Sequence, residues 1–330
     1  MPEYTTIMGL GYHVPPEILT NEDLEKTINT SDEWITTRTG IKTRHIAPPH
    51  TGASVLALEA ATKALDDAGL TPADLTHIIV PTFTPDYYVP STACILQHKL
   101  GIPGIPAMDV FAACSGFLYG LEQARALVAL HPEARVLVAA SEIISSRTDF
   151  TDRSTCVLFG DGAGAAIVGN VDAEQGGGRI LDVLLSADGS LGDLLTVKGG
   201  GSACPAVRDQ RIGPDFFIQM EGRDVFKHAV RSMAGVCKDI LARNQLTSGD
   251  IDLIIPHQAN IRIIQALGKK LDVAMEHIFV NVDRYGNTSA ASIPIALAEA
   301  KLQGRIAPGD TVLLTSFGGG FTWASALIRF

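Results

Sequence analysis

The stretch LTPADLTHIIV, residues 70–80, returns as LTSGDIDLIIP at residues 246–256, and the recurrence decides the fold. Leu70/Leu246, Thr71/Thr247, Asp74/Asp250, Ile78/Ile254 and Ile79/Ile255 coincide at an offset of 176 residues, 246 less 70. At the same offset VLVAAS, from Val136, falls on VLLTSF, from Val312. A helical pattern precedes each first segment: SVLALEAATKALDDAG in one case, DVFKHAVRSMAGVCKDILARN in the other. Between the paired segments, each copy has an apolar strand that enters a helix through small residues, FAACSG and YGNTSAAS. Two segments sharing one offset imply a duplicated chain. The expected fold is α/β, with two βαβ halves, residues 1–175 and 176–330, related by a pseudo-two-fold and forming one body whose apolar strands are covered by helices. Residues from about 180 to 218, with KGGGSACP near the middle, break the pattern and read as an excursion between the halves.

Composition bounds the function. The chain has 330 residues, 46% of them hydrophobic, and 32 glycines, as in an α/β enzyme with closely packed backbone. A net charge of −10 argues against general nucleic-acid binding, so an acidic partner needs a local basic patch. No apolar run approaches the ~18 residues of a membrane span. The first basic residue is Lys26, so the N-terminus lacks the charged start of a secretory signal; a cytoplasmic protein that binds no membrane is expected. The five cysteines, Cys94, Cys114, Cys156, Cys204 and Cys237, form no CxxC, which argues against a disulfide framework or a metal site.

Cys114 stands in MDVFAACSGFLYGLEQARALVAL, residues 108–130, where a buried strand becomes a helix. Phe117, Leu118, Leu121, Ala124, Leu127 and Val128 recur at helical spacing after it. Near a helix N-terminus, unpaired N–H groups and the dipole stabilise an anion. The thiol pKa is therefore expected to be drawn from ~8.5 toward the 3.5–7.5 range. The second half supplies partners at strand ends: His257 in DLIIPHQANIRII, Asn287 after the Gly286 turn in HIFVNVDRYGNTSAAS, and the glycines 318–320 in TSFGGGFTW. HIFVNV reads as a strand. FGDGAGAAIVG fits G-x-G-x-x-A, but no helix of the required length follows, so it reads as small residues in a packed strand rather than a dinucleotide site.

WITTRTGI, AACSGF, FGDGAGAA, PHQANIRI, GNTSAAS and FGGGFTW, in this order, resemble the β-ketoacyl-acyl carrier protein synthase III enzymes of the thiolase superfamily. The resemblance runs from TNEDLEKTINTSDEWI to Phe330. It implies a five-layered α-β-α-β-α thiolase-like sandwich and a homodimer. It also implies initiation of type II fatty-acid synthesis: an acyl group, typically acetyl from acetyl-CoA, moves to a cysteine and is condensed decarboxylatively with malonyl-acyl carrier protein, without a cofactor or a metal. The matching triad is Cys114, His257 and Asn287, and the matching oxyanion hole is the N–H groups of Cys114 and Gly319, where glycine lets the backbone come close. Elongating condensing enzymes usually carry a second histidine in place of Asn287, and the hydroxymethylglutaryl-CoA synthase type uses a glutamate. The alternative is a specialised condensing enzyme of a secondary-metabolite pathway, using another primer. A papain-type hydrolase shares the Cys, His, Asn order but lacks the duplication.

By the same resemblance Trp34 and Arg153 sandwich the CoA adenine, with Arg38 near the phosphates and Asn260 on the CoA path. Phe317 and Val89 belong to the acyl pocket, Val89 on a loop that reaches a partner subunit's site, where a phenylalanine is frequent and valine leaves more room. Arg223 stands where the family often has asparagine, adding a charge at the tunnel mouth. Arg262, Lys269 and Lys270 on one helical segment, with Lys227, offer a dock for acidic acyl carrier protein.

Overall fold

The computed structural model describes residues 3–172, 177–206 and 213–330. The division expected at 175/176 lies outside the described residues. Nine strands form one hydrogen-bonded ladder. They are β1 (Glu3–His13), β2 (His77–Pro81), β3 (Ala107–Val110), β4 (Arg135–Glu142), β5 (Gly162–Asp172), β6 (Gly178–Ala187), β7 (Leu253–Pro256), β8 (Thr311–Gly318) and β9 (Thr322–Arg329). Their order is β7-β8-β9-β6-β1-β5-β4-β2-β3.

The duplication is visible in the pairing. β2 lies parallel to β4 and β7 parallel to β8; β4–β5 and β8–β9 are antiparallel, as are β5–β1 and β9–β6. The two sheets implied by the repeat are joined at one edge, through only Thr6↔Arg179 and Ile7↔Gly178. The repeat also preserves its turns. Thr71 with Asp74, and Thr247 with Asp250, close the same capping box, each carboxylate accepting the threonine N–H at 2.8 Å.

Six helices complete the layers: α1 (Ala53–Ala68), α2 (Thr92–Leu100), α3 (Gly116–Leu130), α4 (Gly222–Arg243), α5 (Ile261–Leu271) and α6 (Ser292–Leu302). One core joins α1 and α2 to an outer face of the first sheet through Leu56, Ala60, Leu96 and Ile78. A second joins α4 and α5 to the second sheet through Met233, Ile240, Ile264 and Leu313. The third lies between the sheets, where Leu118, Leu121, Ile293 and Leu297 meet Val136, Val138, Leu314 and Ala326. The result is the five-layered sandwich. α6 is buried from Ser292 through Ala300, as a helix in the middle layer must be, and is apolar nearly all round. Each fully buried leucine there stabilises the fold by about 1.5–3 kcal/mol.

Two local expectations are corrected and a third holds. Residues 180–187 belong to β6, paired with β9, so the irregular excursion begins only after it. HIFVNV forms no strand; Ile278 makes an isolated bridge to Ile254, and Val282–Tyr285 is a short helix. FGDGAGAA runs into β5, in line with its reading as small residues in a packed strand; a Cβ on Gly164 would sit 2.7 Å from Ile295 N, so the glycine admits α6. Among the described residues, no helix is long and apolar enough to cross a membrane, and no cluster of three or more His, Cys, Asp or Glu is placed to hold a metal.

Candidate active site

A cavity of about 460 Å³ enters between the excursion and α4 and ends at Cys114, His257 and Asn287. Leu195, Val197, Ile218, Met220, Phe226 and Met233 make its walls apolar. The described parts of the excursion, 189–206 and 213–220, read in sequence as a connection between the halves, thus contribute wall residues to the site.

Cys114 sits in the tight turn Ala113–Ser115 that links β3 to α3. Ala113 takes a left-handed φ of 45°. The turn is tied to the other half: Ser115 Oγ donates to the Thr322 carbonyl at 3.2 Å, and Thr322 Oγ1 donates to the Ala112 carbonyl at 3.0 Å. The last residue of β8 presses on it from the same side. A Cβ on Gly318 would lie 2.6 Å from Cys114 N, so the glycine demanded by close approach is Gly318. At Gly319, the position expected to need it, the nearest atom is Leu195 O at 3.1 Å.

His257 follows β7 and is 4% exposed. Its N–H donates to the Thr315 carbonyl at 2.8 Å, and its Nδ1 lies 2.6 Å from Ser292 Oγ. Ser292 Oγ also accepts the Gln258 N–H at 3.4 Å. A Ser292 hydroxyl that donates to Nδ1 leaves Nε2–H as the imidazole's donor to the cavity. Burial holds the His257 pKa down at about 4, so the ring is neutral at neutral pH. The Gln258 amide fixes the surrounding loop, donating to the Pro256 and Phe279 carbonyls and accepting from the N–H groups of Asn281 and Val282.

Asn287 is held by both backbone groups, its N–H on the Leu158 carbonyl at 2.8 Å and its carbonyl on Gly160 N–H at 3.1 Å. Its Oδ1 accepts the Ser289 N–H at 2.9 Å, which orients the amide and leaves Nδ2 to donate.

The electrostatics of Cys114 run against the sequence expectation. Burial pushes its thiol up to about 12, and the nearby Glu142 carboxylate adds to the rise. α3 proper begins two residues later, at Gly116, and burial is the largest influence on the thiol. At neutral pH the thiol keeps its proton. Sequence reasoning missed three residues around it: Ser289, whose hydroxyl favours the thiolate; Glu142, buried at the end of β4; and Ser292 behind His257. A lone glutamate closing the apolar strand RVLVAASE was the available signal.

Of the other sequence candidates, Asn260 and Phe317 line the cavity and the rest do not. Trp34, on the helix Asp32–Thr39, is flanked by two guanidinium groups, Arg38 Cζ at 4.8 Å and Arg153 Cζ at 4.7 Å from the ring centre. Asn260 lines the cavity, caps α5 through Arg262 N–H and donates to the Arg38 carbonyl at 3.1 Å. Phe317 lines the cavity and is buried. Val89 is 86% exposed and lies outside the cavity wall of its own chain. Arg262, Lys269 and Lys270 are exposed on α5, beside Lys227 on the contacting α4, where Lys227 pairs with Asp224 at 3.0 Å. Arg223 is exposed next to the cavity-lining Gly222.

Known proteins share this architecture. Residues 108–189 match the family model for 3-oxoacyl-[acyl-carrier-protein (ACP)] synthase III, and residues 241–330 match that of its C-terminal part. The β-ketoacyl-[acyl-carrier-protein] synthase III of Nitratidesulfovibrio vulgaris strain DP4 is 57% identical over 331 aligned residues, covering 100% of both chains. The chain belongs to the β-ketoacyl-[acyl-carrier-protein] synthase III family. The enzyme of that name from Oleidesulfovibrio alaskensis is 56% identical over 98% of each chain. Among solved structures, the 3-oxoacyl-[acyl-carrier-protein] synthase III of Aquifex aeolicus VF5 superposes with a TM-score of 0.90 at 46% identity, over 99% of this chain and 100% of that one. The priming β-ketosynthase of the R1128 polyketide pathway gives 0.89 at 34% identity, over 100% and 98%. As a synthase III, the chain is an acyltransferase with the thiolase-like fold, a condensing enzyme that initiates fatty-acid synthesis.

Proposed function

We propose that Cys114 receives an acyl group from an acyl-CoA primer, acetyl-CoA in the first place, and that the acyl-Cys114 thioester is condensed with malonyl-acyl carrier protein. The observation that carries this reading is the convergence of Cys114, His257 and Asn287 on the closed end of one apolar cavity. In the first half-reaction, Sγ attacks the thioester carbonyl and CoA leaves as its thiolate. The tetrahedral oxyanion is held by the N–H groups of Cys114 and Gly319, each such donor being worth ~10²–10³ in rate. In the second, the bond between the malonyl carboxylate and its neighbouring carbon breaks. CO₂ departs, and the electron pair moves into an enolate whose oxygen accepts from His257 Nε2–H and Asn287 Nδ2. Both groups are neutral donors at neutral pH, so neither demands a proton from solvent. The enolate carbon attacks the acyl-Cys114 carbonyl and expels the Cys114 thiolate. The chemistry needs no cofactor, since both substrates arrive as activated thioesters.

Trp34 and Arg153 frame the adenine of CoA in this reading, with Arg38 at the phosphates and Asn260 along the pantetheine path. Arg262, Lys269, Lys270 and Lys227 draw in the acidic carrier protein, and Arg223 adds a charge at the mouth. A homodimer in the cytoplasm is the working form. β3 is an edge strand, and the exposed Tyr87, Tyr88, Val89 and Phe111 cluster in the same part of the chain. Phe111 also lines the cavity, so a partner's Val89 loop would reach the acyl end there.

Intact-mass measurement after incubation with a mixture of acyl-CoAs, beside Cys114→Ala, tests the reading. An adduct on the wild-type chain only is the expected outcome, and its mass identifies the primer. A branched or long adduct in place of acetyl would move the assignment to the specialised condensing enzyme; an equal adduct on Cys114→Ala would overturn it.

A further inference from the structure

The mechanism leaves the fully buried carboxyl of Glu142 unused. Glu142 closes β4, and one of its oxygens collects four donors: Oε2 accepts from Thr82 Oγ1 and Thr84 Oγ1 at 3.2 and 2.6 Å and from the N–H groups of Phe83 and Thr84, both at 3.2 Å. Its other oxygen, Oε1, is buried with no hydrogen bond of ordinary geometry, and so is the Ser289 hydroxyl. Two such atoms are costly to leave unpaired, and they belong to elements that contact each other, one of which also contacts the turn that carries Cys114. The turn Ser289–Ala291 packs against both the end of β4 and the turn that holds Cys114, and the Ser289 hydroxyl favours the charged forms of the Cys114 thiol and the Glu142 carboxyl alike. Ser289 reaches this place with a left-handed φ of 50°, uncommon for a residue other than glycine.

We infer that Ser289 and Glu142 form a proton relay behind Cys114: Ser289 meets the thiol, and Glu142 acts through it as the positioning residue and resting place of the proton. The inference rests on the reading of Cys114 as the acylated nucleophile. As Sγ attacks the primer thioester, its proton passes to Ser289 Oγ while the Ser289 proton passes to Glu142 Oε1. CoA leaves as a thiolate that solvent protonates. When condensation later expels the Cys114 thiolate, the neutral Glu142 returns its proton by the same route, so solvent supplies only the proton that CoA takes up. Burial suits Glu142 to the task, because it pushes the carboxyl up to about 7. The neutral His257 imidazole, held at about 4, is the weaker acceptor for a thiol proton and stays free for the enolate.

The test compares Glu142→Gln, Ser289→Ala and the double variant with wild type in three rates. These are acetyl-CoA acylation of Cys114 by quenched intact mass, alkylation of Cys114 by iodoacetamide, and decarboxylation of malonyl-acyl carrier protein. Glu142→Gln keeps the shape of the neutral acid, and Ser289→Ala keeps the N–H that orients Asn287, so a thermal melt near wild type is expected for both. Should one variant fail to fold, the other carries the test. Each single variant is expected to slow acylation and alkylation by about 10²-fold, and the double variant no further, because both remove one relay. Decarboxylation should stay within about twofold of wild type, since His257 and Asn287 are untouched. Acylation at the wild-type rate in Glu142→Gln, or losses that multiply in the double variant, would overturn the relay. Failure of wild-type Cys114 to be acylated would instead overturn the reading beneath it.

Discussion

Replacing Gly318 by alanine separates close approach from mere flexibility at the head of the site. The new Cβ would meet Cys114 N at 2.6 Å and Cys114 Cα and Cβ at 3.2 Å, where ordinary contact begins near 3.4 Å. The overlap with the nitrogen is about 0.8 Å, and the obstructing atoms are backbone rather than the end of a flexible side chain. The β8 end cannot retreat freely, because Gly318 is registered against Thr322, which itself holds the Ala112 carbonyl. Cys114 must therefore yield by several tenths of an ångström, and a displacement approaching 1 Å at a reacting group costs on the order of 10²-fold in rate. We expect Gly318→Ala to lose about 10–10²-fold in the rate of acyl-adduct formation, with about 1–3 kcal/mol of stability lost to overpacking. Gly319→Ala is the control. Its Cβ meets Leu195 O at 3.1 Å, on an excursion that can give way, and its N–H survives. Quenched intact-mass kinetics and a denaturant titration supply the two numbers. A wild-type acylation rate in Gly318→Ala, or an equal loss in Gly319→Ala, would refute the reasoning.

Trp34→Ala should raise KM for acyl-CoA by about tenfold, from loss of one base-stacking face, and lower stability by no more than about 1 kcal/mol, because its contacts to Arg38 and Arg153 are exposed. An unchanged KM in steady-state assays would remove Trp34 from the CoA path. The pH dependence of stability carries two opposed contributions of about 3 kcal/mol each. His257, depressed from 6.5 to about 4, contributes stability present above pH 6.5 and lost as pH falls toward 4; Glu142, raised from 4.5 to about 7, contributes stability present below pH 4.5 and lost as pH rises through 7. Glu142→Gln removes one of the pair, so its unfolding free energy should climb between pH 4 and 6.5 more steeply than that of wild type; parallel profiles in urea titrations would show that Glu142 is not a neutral acid in the fold.

The repeat at offset 176 was legible because it is written in local chemistry: a threonine and an aspartate three residues apart close the same box wherever they occur, and the apolar run after them makes the same parallel strand. Cys114, His257 and Asn287, the proposed triad, stood out because each is at a strand end beside small residues, and the fold brings all three to one cavity. What escaped depends on burial, which belongs to the assembled layers and not to any window of sequence. The thiol of Cys114 looked activated by a helix start, yet desolvation by the packed turn dominates it. Gly318 and Gly319 are indistinguishable in GGG until the distance to Cys114 N is known. Glu142 is one letter at the end of a strand, and only the fold places its carboxyl behind a cysteine 28 residues earlier (142 less 114) and a serine from the other half.

The same offset that relates the strands relates the two turns at the centre of the site. Ala113–Ser115 and Ser289–Ala291 are equivalent tight turns, 176 residues apart, each beginning with a non-glycine residue at positive φ, 45° at Ala113 and 50° at Ser289, and each leading into a central-layer helix. Duplication therefore brought two copies of one strand-entering-helix device face to face. The copies have since divided the chemistry. The position that carries the thiol in one turn, Cys114, carries the buried methyl of Ala290 in the other, and the position that carries a methyl in the first, Ala113, carries the hydroxyl of Ser289 in the second. A thiol and a hydroxyl on equivalent turns meet only because the copies are related by the pseudo-two-fold; within one half they would be successive residues pointing apart. The nucleophile and the group that takes its proton are thus products of the symmetry, and the strained φ persists in both turns because each needs that geometry to present its side chain to the other.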